Sequence, residues 1–175
     1  MNGADLRVIS PLIVLAAAAV AVMLLAAFYR RHRAAMLATQ AGLVAAGIAL
    51  GAAAPQVPRL VTPLLVMDDY ALYFIGLIIA GGVAVVGLSY AYLQERARLP
   101  EEFYVLLLTA TLGAAVLAAS RHFATFFLGI ELLSVPMFAM IAYRMERWDA
   151  VEAGTKYLVL SGVSSAFLVF GMAMV

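Results

Sequence analysis

The stretch Phe123–Tyr143, FATFFLGIELLSVPMFAMIAY, decides the fold. It carries a single charge, Glu131. A helix of roughly 20 apolar residues crosses the hydrocarbon core of a bilayer, about 30 Å thick. At a rise of about 1.5 Å per residue, Glu131 lies about 13 Å from one end of this run and about 18 Å from the other. A glutamate side chain is too short to reach either interface. A charge at that depth costs at least a few kcal/mol in lipid, so it must face protein or water, and function is the default reading.

Composition puts the whole chain in the same solvent. Of its 175 residues 66% are hydrophobic and 12% charged, whereas soluble domains run at about 45–50% apolar and about 25% charged. A soluble fold of this length has too little interior for so much apolar surface. Five further segments have the length of a span, giving six in all: 8–29, 34–54, 70–93, 103–120, 123–143 and 151–175. The expected fold class is therefore all-α, a polytopic transmembrane helix bundle, with residues 1–175 forming one transmembrane region and the lipid bilayer its principal partner. The first run, Val8–Tyr29, is too long for the core of a cleavable signal peptide, and similar runs follow it. The last run ends at Val175 without a polar flank, which suggests the opening part of a larger protein.

Charge and cysteine content narrow the function classes. A net charge of +1 with no basic stripe gives no reason to expect a nucleic-acid partner. The absence of cysteine removes disulfides, thiolate metal sites and cysteine-held iron–sulfur clusters from this chain. No glycine-rich phosphate loop, catalytic triad or zinc spacing is present, so any redox chemistry belongs elsewhere. Arginine outnumbers lysine ten to one and alanine is abundant, as in bacterial proteins from GC-rich genomes. The loops after the first, third and fifth spans hold Arg30, Arg31, Arg33, Arg96, Arg98, Arg144 and Arg147, against Arg7, Arg59 and Arg121 on the opposite side. The excess puts the odd loops in the cytoplasm and the N-terminus in the periplasm of a bacterial inner membrane.

The connectors are short and polar except Pro55–Asp69, whose Pro55, Pro58 and Pro63 oppose regular helix. Asp68 and Asp69 then stand where an N-cap and a first helical turn belong. Gly76, Gly81, Gly82 and Gly87 mark the third span as one that neighbouring helices can approach closely. His32 sits in the basic cluster Arg30–Arg33 and His122 in an outer turn, both at the interface. Glu101 and Glu102 open the fourth span, where they favour its N-terminal dipole.

Around Glu131, Pro136 removes one backbone hydrogen bond and leaves the Leu132 carbonyl without its helical donor. Ser134 adds a hydroxyl on nearly the same face as Glu131. Together they suit a small hydrated pocket beside the carboxylate, although a packing kink explains Pro136 equally well. Lys156, the lone lysine, lies about 9 Å inside the sixth span. It is either an intramembrane cation near a proton path or a snorkelling anchor. An antiparallel fifth and sixth helix would leave Glu131 and Lys156 about 9 Å apart along the axis, too far for a direct salt bridge.

The stretch Phe126–Met140, FFLGIELLSVPMFAM, resembles the fifth-helix motif of the subunit N family of the proton-translocating NADH–quinone oxidoreductase, respiratory complex I. Glu152–Val175, EAGTKYLVLSGVSSAFLVFGMAMV, is similar to that family's sixth helix, and Asp68–Leu77, DDYALYFIGL, to the start of its third. Glu101–Ser120 is similar to its fourth helix. The resemblance implies an antiporter-like fold of about fourteen helices with two inverted five-helix repeats, of which about six are present. It implies that Glu131 and Lys156 take part in proton translocation and that further lysines lie on the seventh, eighth and twelfth helices. A seventh-helix lysine would pair with Glu131. The implied activity is coupling of electron transfer from NADH to quinone with proton pumping, alongside other membrane subunits that include a second antiporter-like one. No cofactor is expected in this chain; flavin and iron–sulfur clusters belong to other subunits, and quinone is the substrate of the complex. Relatives of the same superfamily offer two rival functions, a cation/proton antiporter subunit and a membrane-bound hydrogenase subunit. A third is a non-transporting membrane scaffold in which Glu131 only packs.

Overall fold

Six helices long and apolar enough to cross a membrane account for most of the chain. The computed structural model describes residues 3–97 and 99–175. Arg98, counted above on the arginine-rich side, lies outside the described residues. The helices are α1 (Gly3–Phe28), α2 (His32–Ala53), α3 (Asp69–Arg96), α4 (Pro100–Ala118), α5 (Phe123–Ile141) and α6 (Trp148–Ala173). Several begin before the apolar runs that mark them in the sequence. α1 takes in Asp5 and Arg7, α3 continues to Arg96, and α6 starts at Trp148. Polar residues at the interface keep the helical conformation because it satisfies their backbone groups, so helix ends overrun the hydrophobic count.

The chain runs up and down, so ends alternate. One end of the bundle gathers Arg30, Arg31, Arg33, Arg96, Arg144 and Arg147, which lie at or just beyond the helix termini of that end. The other end carries a small non-helical cap. A single 3-10 turn (Ala54–Gln56) leads into an antiparallel hairpin of β1 (Arg59–Thr62) and β2 (Leu65–Met67), with Arg59 opposite Met67 and Leu60 opposite Val66. The hairpin seats on the α4–α5 turn: Val66 N–H donates to the Ala119 carbonyl at 3.0 Å and Arg121 N–H to the Leu64 carbonyl at 3.1 Å. Arg59 Nε donates to Asp5 Oδ1 at 2.7 Å, tying β1 to the start of α1. The proline-rich connector is therefore ordered structure rather than a plain loop. Asp68 caps α3 by accepting from Ala71 N–H at 2.7 Å, the capping role read from the sequence.

α4 is the centre of the bundle. α1, α3 and α5 pack on it, and α2 fills the space beside α1 and α3. Leu15, Leu43, Ile75, Tyr104 and Leu108 are buried around it. α6 lies at the margin, packed on α5. In lipid, helices associate through close van der Waals fit more than through burial from water. The tightest approaches lie on other helices than the glycine-studded α3. A Cβ on Gly113 would stand 2.5 Å from Leu133 N, one on Gly129 3.0 Å from Leu117 Cα, and one on Gly154 2.6 Å from Ala142 Cβ. Gly81 and Gly87 of α3 face open space, and Gly76 and Gly82 make ordinary contacts at 3.4–3.5 Å.

At the arginine-rich end, α2, α3 and α4 are joined by an aromatic cluster. His32 Nε2 lies 2.9 Å from the Tyr104 hydroxyl, and its ring stacks 4.5 Å from that of Tyr90. Arg33 Nε donates to the Tyr90 hydroxyl at 3.0 Å. His122 at the opposite end caps α5, its Nδ1 accepting from Ala124 N–H at 3.1 Å. Both histidines thus have structural roles.

Candidate functional site

Two contacts fix the position of α5. At the arginine-rich end, the Tyr143 hydroxyl donates to the Leu99 carbonyl and accepts from Phe103 N–H at 3.0 Å, clasping the start of α4. Burial pushes the Tyr143 phenol up to about 12, so it stays a neutral donor at any physiological pH. Farther along, α4 and α5 touch backbone to backbone at Gly113 and Gly129. Gly129 faces α4, and Glu131, two residues on and about 200° around the helix, faces away from it.

Pro136 lies about 20° from the direction of Gly129 and about 140° from that of Glu131. It is fully buried. The Leu132 carbonyl, which Pro136 deprives of its donor, stands 3.0 Å from where a Gly113 Cβ would be. α4 therefore covers that carbonyl with the bare glycine Cα, a contact suited to a weak C–H···O bond. Pro136 and Glu131 sit on different faces of α5. Ser134 lies about 60° from Glu131, half-buried, on the nearer side.

Glu131 itself is half-buried, on the face of α5 turned to α6. Its Oε1 accepts a hydrogen bond from the Ser165 hydroxyl of α6 at 2.5 Å. The pairing agrees with the rest of the α5–α6 seam. Ala142 is eleven residues from Glu131 and meets Gly154, which is eleven residues from Ser165. Ser165 was absent from the sequence reading, although a signal for it exists. Glu131 is eight residues from the start of α5 and Ser165 eight from the end of α6, so the two share a depth of about 12 Å.

Lys156 is not brought to Glu131. It lies nine residues from Ser165, about 13 Å along α6 from the level of Glu131, farther than the 9 Å expected because the first turns of α6 extend past the end of α5, with Gly154 level with Ala142. Its Nζ pairs with Glu152 Oε1 one turn earlier at 2.5 Å, and its side chain is 69% exposed. Among the described residues no group of three His, Asp or Glu side chains is placed to hold a metal.

What this geometry offers is one carboxylate, set at mid-span depth in an α-helical membrane bundle, with a hydroxyl as its partner among the described residues. The membrane-domain family described as NADH:quinone oxidoreductase/Mrp antiporter, TM, matches residues 120–175, which include Glu131, Lys156 and Ser165. A chain of respiratory complex I from Thermus thermophilus superposes with a TM-score of 0.79 at 31% identity, over 93% of this chain and 35% of that one. By sequence and by fold the chain is similar to the antiporter-like membrane subunits of complex I. Within them it matches subunit N of NADH-quinone oxidoreductase: 52% identity over 171 residues in Nitrosospira multiformis and 48% over 175 residues in Methylococcus capsulatus. The chain spans 34–36% of the length of these relatives, their N-terminal part.

Proposed function

We propose that this chain is the N-terminal portion of a proton-translocating, antiporter-like subunit of an NADH–quinone oxidoreductase, and that Glu131 carries protons within it. The observation that supports this most is the carboxylate of Glu131, about 12 Å inside α5, facing the α5–α6 seam with a neutral hydroxyl as its partner among the described residues. A carboxylate in that position changes charge by taking up or releasing a proton, and each elementary charge moved through 100 mV is worth about 2.3 kcal/mol. The electron transfer that supplies this work takes place on flavin and iron–sulfur centres of other subunits. Lys156 lies on the same helix as Ser165, nearer the arginine-rich end, and is the next charged group along that path. Ser134 and Pro136 support Glu131 from α5, the first by its hydroxyl and the second by fixing the approach to α4.

The arginine-rich end faces the cytoplasm of a bacterial inner membrane and the N-terminus the periplasm. A cysteine placed at Met145 in this cysteine-free chain should react with an impermeant maleimide in inverted vesicles only. Reaction in right-side-out cells would reverse the topology.

The family description names both an oxidoreductase and an Mrp antiporter, so purification separates the two readings. A complex captured through this protein should contain flavin and iron–sulfur signals and reduce quinone with NADH. An assembly lacking those signals and exchanging sodium for protons would favour the antiporter.

A further inference from the structure

Six hydroxyls inside these helices satisfy themselves in the same way. Thr39, Ser89, Thr109, Thr111, Thr155 and Ser164 each donate to the carbonyl four residues earlier, at 2.6–2.8 Å. That is the usual way for a serine or threonine to satisfy itself in a helix surrounded by apolar groups. Ser165 departs from it. Its neighbour Ser164 bonds back to Leu160, but Ser165 directs its hydrogen across the helix seam to Glu131 Oε1 at 2.5 Å. An ionised carboxylate is a stronger acceptor than a backbone carbonyl that already receives a helical N–H.

We propose that Ser165 is a positioning residue for Glu131, holding its carboxylate in the α5–α6 seam in the orientation from which it gives and takes a proton. The inference rests on the reading of Glu131 as a proton carrier. While Glu131 is ionised, Ser165 donates to it. When Glu131 takes up a proton, the carboxyl becomes a donor, and the Ser165 hydrogen turns to the Ser161 carbonyl of its own helix while its oxygen accepts from Glu131. The contact survives in both states with its direction reversed, and it is stronger in the ionised one. Proton uptake thus costs one charge-assisted hydrogen bond and involves rotation about a single side-chain bond rather than a shift of helices.

Among the described residues Ser165 is the side chain hydrogen-bonded to Glu131, and the titratable groups of the packed helices lie at other levels. On α6 the titratable groups are Asp149, Glu152, Lys156 and Tyr157, eight or more residues along from Ser165. On α4, Gly113 and Leu117 mark the level of Glu131, and Glu101, Glu102 and Tyr104 lie toward the arginine-rich end. α5 itself has no other charged residue.

The test is NADH-driven proton pumping by the assembled complex in vesicles, followed across pH. In Ser165→Ala the falling limb of the rate should move to higher pH by about one unit, because the ionised form has lost its donor. Ser165→Thr keeps the hydroxyl and should keep the wild-type profile. Ser165→Cys fills the same space with a weak donor and should shift in the same direction as alanine, so the inference is tested even if the alanine variant fails to assemble. A purely packing role would lower the rate without moving the profile. Unmoved profiles in the alanine and cysteine variants, with pumping still abolished by Glu131→Gln, would overturn the role of Ser165 alone. Pumping unaffected by Glu131→Gln would instead overturn the reading on which it rests.

Discussion

Glu131 and Lys156 are both charged and both lie within apolar helices, yet their chain lengths and depths give them different options. Glutamate at about 12 Å has no route to an interface and must find its partner inside. Lysine near the start of α6 carries a long stem and reaches the Glu152 carboxylate one turn away. With side chains 69% and 48% exposed, that pair is worth only a few tenths of a kcal/mol. So weak a pair exchanges partners readily, which suits the place on a proton path proposed for Lys156. Lys156→Ala should reduce NADH-driven pumping more than Lys156→Arg, which retains the charge. Equal, near-normal rates for the two would return Lys156 to the role of interfacial anchor. The depth of Glu131 was legible in the sequence because it needs only a count along one apolar run. Its partner was not. Ser165 is found only when the register between α5 and α6 is known, and that register depends on where the turn between them ends each helix.

At the scale of elements, the crossing of α4 and α5 sets the site. Gly113 and Gly129 let the two backbones touch, and Tyr143 clasps the near end. Gly113→Ala places a methyl 2.5 Å from Leu133 N and 3.0 Å from the Leu132 carbonyl, backbone atoms that cannot turn aside. It should destabilise the bundle by about 1–3 kcal/mol, seen as a lower melting temperature of the detergent-solubilised protein. An unchanged melting temperature would mean that α4 and α5 do not cross there. The sequence shows that α3 is rich in glycine but not which face of any helix meets a neighbour, since apolar periodicity fades when every face is apolar. The close contacts accordingly turned up on α2, α4, α5 and α6. The hairpin at Arg59–Met67 was hidden for a related reason: three prolines exclude helix, but strand pairing depends on a partner that the segment does not itself specify.

For the whole molecule, the legible features were those that follow from the solvent. Six apolar runs in a chain 66% hydrophobic leave a helical bundle as the solution for a backbone that must satisfy its own hydrogen bonds in lipid. The bundle is centred on α4 and leaves α6 at its edge, with none of that helix's most apolar stretch buried. Glu131 and Ser165 meet at this edge, so the site opens toward the side where α6 has no partner among the described residues. On the function proposed above, protons move through this part of the bundle by way of Glu131. The most direct measurement is the number of protons taken up per NADH oxidised by vesicles carrying wild type, Glu131→Asp and Glu131→Gln. The account predicts a lower ratio in the glutamine variant, with partial retention in the aspartate variant, which keeps an ionisable group. A glutamine variant that pumps as many protons per NADH as the wild type would contradict it.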